Sequence, residues 1–243
     1  MSTTQKVALI TGANKGLGKE IARQLGQQGY AVVIGARDER LGRQAAEELK
    51  AAGLQDVRAV RLDVTNPEDI AAAVKTIGDA WGHLDVLVNN AGISLDWDGT
   101  PMTAEKFTKT FNVNVTAVWR ITDALVPLLA RSADARVINH SSGLGSITTC
   151  EKSWEQVASF ATEAYATSKA ALNMLTVLQS KKLAGQGIAV TAAHPGWVKT
   201  DLGTDAAPMD VATGAKTAVG RAPMPRNRFP HAALMHLGER LPW

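Results

Sequence analysis

The chain of 243 residues has one cysteine, Cys150, and two tyrosines, Tyr30 and Tyr165. A single thiol excludes an internal disulfide and predicts a reducing, cytoplasmic setting. No activating constellation surrounds Cys150 in the sequence, so it reads as a bystander. Excess charge is scarce too. The net charge is +3, carried entirely by Arg221, Arg226, Arg228 and Arg240 against Glu239. The remainder is balanced, which argues against a nucleic-acid face. No apolar run approaches the roughly 20 residues of a membrane span. The polar start, Met1–Lys6, leads straight into a strand and predicts no secretory leader. Internal repeats and low-complexity blocks are absent, and no metal site is expected.

What is present is ordinary for a globular protein: 45% hydrophobic and 20% charged residues. The length suits one α/β domain over residues 1–243. Val7–Ile10 reads as a buried parallel strand, and a helix is expected from Lys19 to Gln28. Between them stands Thr11-Gly12-Ala-Asn14-Lys15-Gly16-Leu17-Gly18. A glycine-rich turn between strand and helix lets the backbone approach a pyrophosphate and points free N–H groups at it. Ala31–Ala36 is the next strand. At its end, where a dinucleotide site that takes NAD usually carries an acid for the ribose, stands Arg37. With Lys15 it would make a doubly cationic seat for a 2′-phosphate, so NADP(H) is expected over NAD(H). Asp38, one residue later, is the alternative ribose acid.

The alternation continues with a helix over 38–52, a strand from Val57 to Leu62 closing on Asp63-Val64, a helix from Pro67 to Trp81, and a strand Leu84–Val88 running into Asn89-Asn90-Ala91-Gly92. This order implies an open, doubly wound parallel sheet of the Rossmann type, about seven strands, with helices on both faces. Ligands of such sheets bind beyond the carboxyl ends of the strands, where Thr11, Arg37, Asp63 and Asn90 all fall.

Tyr165-Ala-Thr-Ser-Lys169 lies in a helical run from Ala164 to Leu183. Residues four apart stack on one helical face, so the phenol and the ammonium are neighbours. A cation beside a phenol lowers its pKa, which would make Tyr165 a proton donor and acceptor near neutrality. A strand over 136–140 ends in Ser141-Ser142-Gly143, where a hydroxyl can stabilise charge developing on a substrate oxygen. Side chains alternate along a strand, so Ser141 and Ser142 should face opposite sides. His140 is apolar-flanked and reads as a core histidine.

Thr11-Gly-x-x-x-Gly16-x-Gly18, Asp63, Asn89-Asn-Ala-Gly92, Tyr165-x-x-x-Lys169 and Pro195-Gly196 together resemble the short-chain dehydrogenase/reductase family over residues 5–203. Asn14-Lys15, Ala36-Arg37-Asp38 and Pro195-Gly196-Trp197-Val198 look most similar to its NADPH-dependent carbonyl reductases. The resemblance implies NADPH-dependent reduction of a ketone or aldehyde, reversible, with Tyr165 as proton donor, Ser142 holding the carbonyl oxygen, and Lys169 tuning Tyr165 and holding the nicotinamide ribose. It implies that an asparagine in the helix near 104–130 holds a water linking the lysine to solvent; Asn114 fits best, Asn112 next. It also implies that Asp63 and Val64 hold the adenine, that Asn90 lies against the adenosine ribose, that the backbone around Gly196, Trp197 and Val198 and the Thr200 hydroxyl hold the nicotinamide amide, and that Ala91, Gly92 and Pro195 contact the cofactor as well.

Trp97, Ile147, Trp154 and Trp197 suggest a small apolar carbonyl or alcohol as substrate. Trp97 is a candidate wall of the site or a cover on the core. The stretch 146–160, with Trp154 and Phe160, is an insertion that reads as a lid or as a surface excursion. Residues 220–230 hold three prolines and three arginines, which disfavours a regular element and leaves a flap or an oligomer contact open. A homo-oligomer through the helices of Asn114 and Tyr165 is one possibility, a monomer another. Two rival functions share this fold: an NADP-binding redox sensor without turnover, and a nucleotide-sugar epimerase or dehydratase. The chain after Thr200 is too short for the latter's substrate domain.

Overall fold

Residues 5–97, 99–159 and 162–243 are described by the computed structural model; Phe160 lies outside them. Among the described residues, eight strands form one sheet in the order β3-β2-β1-β4-β5-β6-β7-β8. They are β1 Val7–Thr11, β2 Ala31–Ala36, β3 Val57–Arg61, β4 Val86–Asn89, β5 Ala135–His140, β6 Ile188–Ala193, β7 Leu234–His236 and β8 Glu239–Leu241. All neighbours pair parallel except β7 and β8. Every residue of β1, β2, β4, β5 and β6 is buried, as strands covered on both faces require, whereas edge strand β3 exposes Arg58 and Arg61.

Alternate residues feed two cores. Ala8, Ile10, Val32 and Ile34 pack with Ile21, Leu25, Leu49 and Ala215, from α1 (Gly16–Gln27), α2 (Glu39–Ala51) and α9 (Val211–Val219). Leu9, Val33, Leu87 and Val137 pack with Ile77, Leu125 and Leu183, from α3 (Pro67–Trp81), α5 (Ala117–Leu129) and α8 (Glu163–Leu183). The helix boundaries have local causes. Asp38 caps α2 by accepting from Leu41 N–H at 3.0 Å. Asn66 caps α3 ahead of Pro67, and Gly82 ends it at φ +74°.

The chain winds from β1 out to β3 and then returns to place β4 against the other side of β1. The resulting crevice lies at the carboxyl ends of β1 and β4, beside Gly12 and Asn90. The long helix expected near 104–130 is α4 (Ala104–Phe111) and α5 joined by a π-helical turn, Asn112–Thr116. Such turns concentrate at functional sites, and this one holds Asn114.

The sheet has one strand more than the expected seven. β8 is three residues long, and Glu239 and Arg240 are exposed, so no apolar pattern announces it. The segment 220–231 is irregular apart from one 3₁₀ turn at Arg226–Arg228, and it gains a physical account from β5. Arg136 is fully buried there. It pairs with Asp134 at 2.6 Å, donates to the Met224 carbonyl at 2.9 Å, and lies 4.9 Å from the Phe229 ring centroid. A buried guanidinium demands such partners, and the proline-rich segment supplies two of them.

The insertion forms two short helices, α6 (Ile147–Lys152) and α7 (Trp154–Val157). Ser146 caps α6, and Thr148 N–H donates to the Trp243 carbonyl at 3.0 Å, which ties the insertion to the chain's end. Trp119 on α5 and Met174 and Leu178 on α8 remain exposed.

Candidate active site

The glycine turn is shaped by close approach. Gly12 and Gly16 have φ +62° and +53°, a region that suits glycine. A Cβ at Gly18 would stand 2.5 Å from both Asn90 Nδ2 and the Gly12 carbonyl. That crowding follows from Asn90, whose amide donates to the carbonyls of Thr11 (2.8 Å) and Gly12 (3.1 Å). The Thr11 hydroxyl accepts in turn from Asn90 N–H (3.0 Å) and Ala91 N–H (2.9 Å). The turn after β1 and the turn after β4 are thus one hydrogen-bonded unit.

Asn14 and Leu17 are half-buried in this turn and Lys15 is exposed. Lys15 forms an ion pair with Asp201 across the turn; both side chains are well solvated, so the pair exchanges readily for another anion. Arg37 projects from the end of β2 into solvent. At Asp63 burial pushes upward, but hydrogen bonds from Thr65, and after them the charges of Arg37 and Arg61, outweigh it and hold that carboxylate below its usual range. Val64 beside it is buried. Asp38, the rival ribose ligand, spends its carboxylate on the cap of α2.

After β6 the chain is held by its own contacts. Gly196 adopts φ +93° against Met209, Val198 bridges to Met209, and the Thr200 hydroxyl accepts from Gly203 N–H at 3.1 Å. Pro195 is half-buried, and Trp197 is exposed with its indole N–H on the Gly203 carbonyl.

Tyr165, Lys169, Ser142 and Asn114 come together, and all four are buried. Ser142 makes a side-chain hydrogen bond with Tyr165. Ser141 faces the other way, donating to Asn173 Oδ1 at 2.6 Å. Lys169 Nζ lies 5.5 Å from the Tyr165 ring centroid and donates to the His140 carbonyl at 2.8 Å. Asn114 Oδ1 accepts from Ile93 N–H (2.9 Å), and its amide donates to the Ile93 carbonyl (2.9 Å) and to Ser168 Oγ (3.0 Å). Asn112 is exposed. A Cβ on Gly92 would meet Asn114 Oδ1 at 3.4 Å and Lys169 Nζ at 3.6 Å, ordinary contact distances that place this backbone beside both side chains.

The acidity of the phenol departs from expectation. Burial pushes Tyr165 up to about 12, and the hydrogen bond with Ser142 only partly opposes this. Burial likewise brings Lys169 down to about 8. The ammonium is directed at the His140 carbonyl, and burial of the phenol dominates. In the protein by itself, Tyr165 is therefore a fully protonated acid at neutral pH.

Of the four proposed substrate-wall residues, Trp97 meets Tyr165, with ring centroids 5.5 Å apart. Ile147, Trp154 and Trp197 are 72%, 56% and 42% exposed. His140 is the core histidine expected, and it has polar partners on both sides. Asn90 donates through its amide, so its Oδ1 must accept from His140 Nδ1–H, at 3.0 Å. Burial first, then the charges of Lys169 and His194, bring this imidazole down to about 3, so it stays neutral. His140 joins the lysine, through its carbonyl, to the glycine turn, through its ring. Only its position, two residues before Ser142, hinted at this.

The chain matches the short chain dehydrogenase family over residues 6–210 and belongs to it. It is therefore an oxidoreductase of the NAD(P)-dependent class that interconverts carbonyls and alcohols. It is 32% identical over 226 residues to the short-chain dehydrogenase anuI of Penicillium roqueforti, covering 91% of this chain and 90% of that protein. Among solved structures it resembles NADPH-bound carbonyl reductase from chicken fatty liver, with TM-score 0.83 and 30% identity over 99% of this chain and 100% of that one. Salutaridine reductase from Papaver somniferum superimposes with TM-score 0.82 and 26% identity over 95% of this chain and 99% of that one.

Proposed function

We propose that this protein reduces a small apolar ketone or aldehyde to the alcohol with NADPH, in the cytoplasm, and runs the reverse reaction when driven. The observation that carries the reading is the convergence of Ser142, Tyr165 and Lys169 beside the glycine turn. NADPH, when bound, supplies the hydride. The residues fit it: a turn closed to any Cβ at Gly18, and a solvated Arg37 that suits a 2′-phosphate. Gly12, Asn14, Lys15, Gly16 and Leu17 would cradle the phosphates, Asp63, Val64, Asn90 and Ala91 the adenosine, and Pro195, Gly196, Trp197, Val198 and Thr200 the nicotinamide amide.

Ser142 donates to the substrate carbonyl oxygen and orients it toward the phenol. Tyr165 gives its proton to that oxygen as the carbon is reduced. Lys169 holds the nicotinamide ribose, and its positive charge favours the phenolate left behind. Asn114 keeps the turn at Ile93 and helix α8 in register, and so maintains the path by which Tyr165 is reprotonated. General acid catalysis of this kind contributes about 10²–10⁴-fold, and alignment of the reactants supplies the rest.

Consumption of NADPH against NADH over a panel of aromatic and aliphatic ketones and aldehydes tests the reading. Turnover with NADPH is expected. Binding of NADPH with no turnover on any member would favour a redox sensor instead. The exposed Trp119, Met174 and Leu178 support self-association along α5 and α8.

A further inference from the structure

The catalytic helix α8 begins without a cap of its own. Thr162 occupies the N-cap position in extended backbone, yet its side chain makes no capping bond, and its hydroxyl is buried without a partner. The first N–H groups of a helix nevertheless need acceptors when buried. Here they find one far away in sequence. Asp96, in the loop after β4, accepts from Ala164 N–H through Oδ1 at 2.9 Å and from Tyr165 N–H through Oδ2 at 3.1 Å. Ser94 Oγ donates to the same Oδ2 at 3.1 Å and orients the carboxylate. A carboxylate at this end of a helix is also favoured by the helix dipole. The residue after Asp96 is Trp97, whose ring lies against the Tyr165 ring.

We propose that Asp96 is a positioning residue of this active site, its carboxylate serving as the cap of α8 and so fixing the Tyr165 phenol and the Trp97 ring against one another. The proposal rests on the catalytic role given above to Tyr165. Both ends of the tyrosine are then held: the phenol by Ser142, the backbone N–H by Asp96. Asp96 touches no reacting atom in this scheme. It sets where the phenol sits, and it makes the loop that follows Gly92 part of the wall of the site. A loss of register of about 1 Å at a reacting group costs on the order of 10²-fold in rate.

The test compares Asp96→Ala and Asp96→Asn with the unaltered chain, using 4-nitrobenzaldehyde and NADPH. Asn keeps one acceptor oxygen and Ala keeps none. The expected order of kcat per bound NADPH is Asp, then Asn, then Ala, with a loss of about 10–10²-fold at Ala and NADPH affinity within about twofold, because the glycine turn is untouched. Nitration by tetranitromethane, mapped by mass spectrometry, gives a second readout that needs no turnover. Tyr30, the other tyrosine and also buried, is the internal reference. The Tyr165 to Tyr30 nitration ratio should rise severalfold in Asp96→Ala and less in Asp96→Asn. A ratio that does not move, or one that rises while kcat per bound NADPH holds, overturns the proposal. Should the unaltered chain turn over no carbonyl, the function assigned above fails, while the nitration ratio still decides whether Asp96 holds Tyr165. If Asp96→Ala does not fold, Asp96→Asn carries both measurements.

Discussion

Lys169 donates to the carbonyl of His140 at 2.8 Å, and the ring of that same histidine holds Asn90 Oδ1 at 3.0 Å. One residue of β5 thus ties helix α8 to the glycine turn after β1. The two halves of the site cannot drift apart without breaking a buried hydrogen bond.

Loss of the phenolic hydroxyl is the most direct probe. Tyr165→Phe keeps the ring against Trp97 and removes the proton donor. Turnover should fall by about 10²–10⁴-fold, with NADPH binding by fluorescence titration nearly unchanged. Near-normal turnover would end the proposed mechanism.

The pH profile follows from burial. A phenol held near about 12 stays protonated through neutrality, so the acid needed for reduction is present there. The same shift leaves little phenolate for the reverse reaction, so alcohol oxidation should climb with pH. Lys169 titrates near about 8. Above that pH its charge is lost and reduction should decline, although Tyr165 is still an acid. A reduction rate that rises from neutral to alkaline pH would contradict this ordering.

The glycine turn should not tolerate a methyl group at Gly18. Its Cβ would lie 2.5 Å from the Gly12 carbonyl, a backbone atom that cannot swing aside. Gly18→Ala should weaken NADPH binding and cost about 1–3 kcal/mol in stability. Calorimetry and a binding titration on one preparation would check both.

Two adjacent residues separate cofactor choice from helix capping. Arg37→Ala should raise KM for NADPH and leave KM for NADH nearly unchanged, since only the 2′-phosphate loses a partner. Asp38→Ala should leave that ratio alone and cost about 1 kcal/mol through the lost cap of α2. If Asp38→Ala instead weakened NADH selectively, the acid would be a ribose ligand after all.

Self-association is open to a charge test. Leu178 is 59% exposed on α8. Leu178→Glu should shift the sedimentation of any oligomer toward monomer and leave the fold intact; an oligomer that persists unchanged would place its interface elsewhere.

The sequence determined the elements and their order, because continuous apolar runs, the Asn66-Pro67 start and the Gly82 stop are local signals. It also singled out Tyr165, Lys169 and Ser142 as candidates, through a family resemblance that four-residue spacing and a strand-end serine could not supply alone, and the fold brings the three together. The sequence already favours Asn114 over Asn112; the π-helical turn in which it is buried is something no residue pattern announces. β8 stayed hidden because three half-polar residues have no period. Tertiary structure alone decided the rest: the capping of α8 by Asp96, the seating of Arg136 on the proline-rich segment, and the acidity of Tyr165. Each depends on groups remote in sequence or on burial itself. A phenol's pKa responds to how much water the fold removes as well as to the cation drawn beside it on a helix.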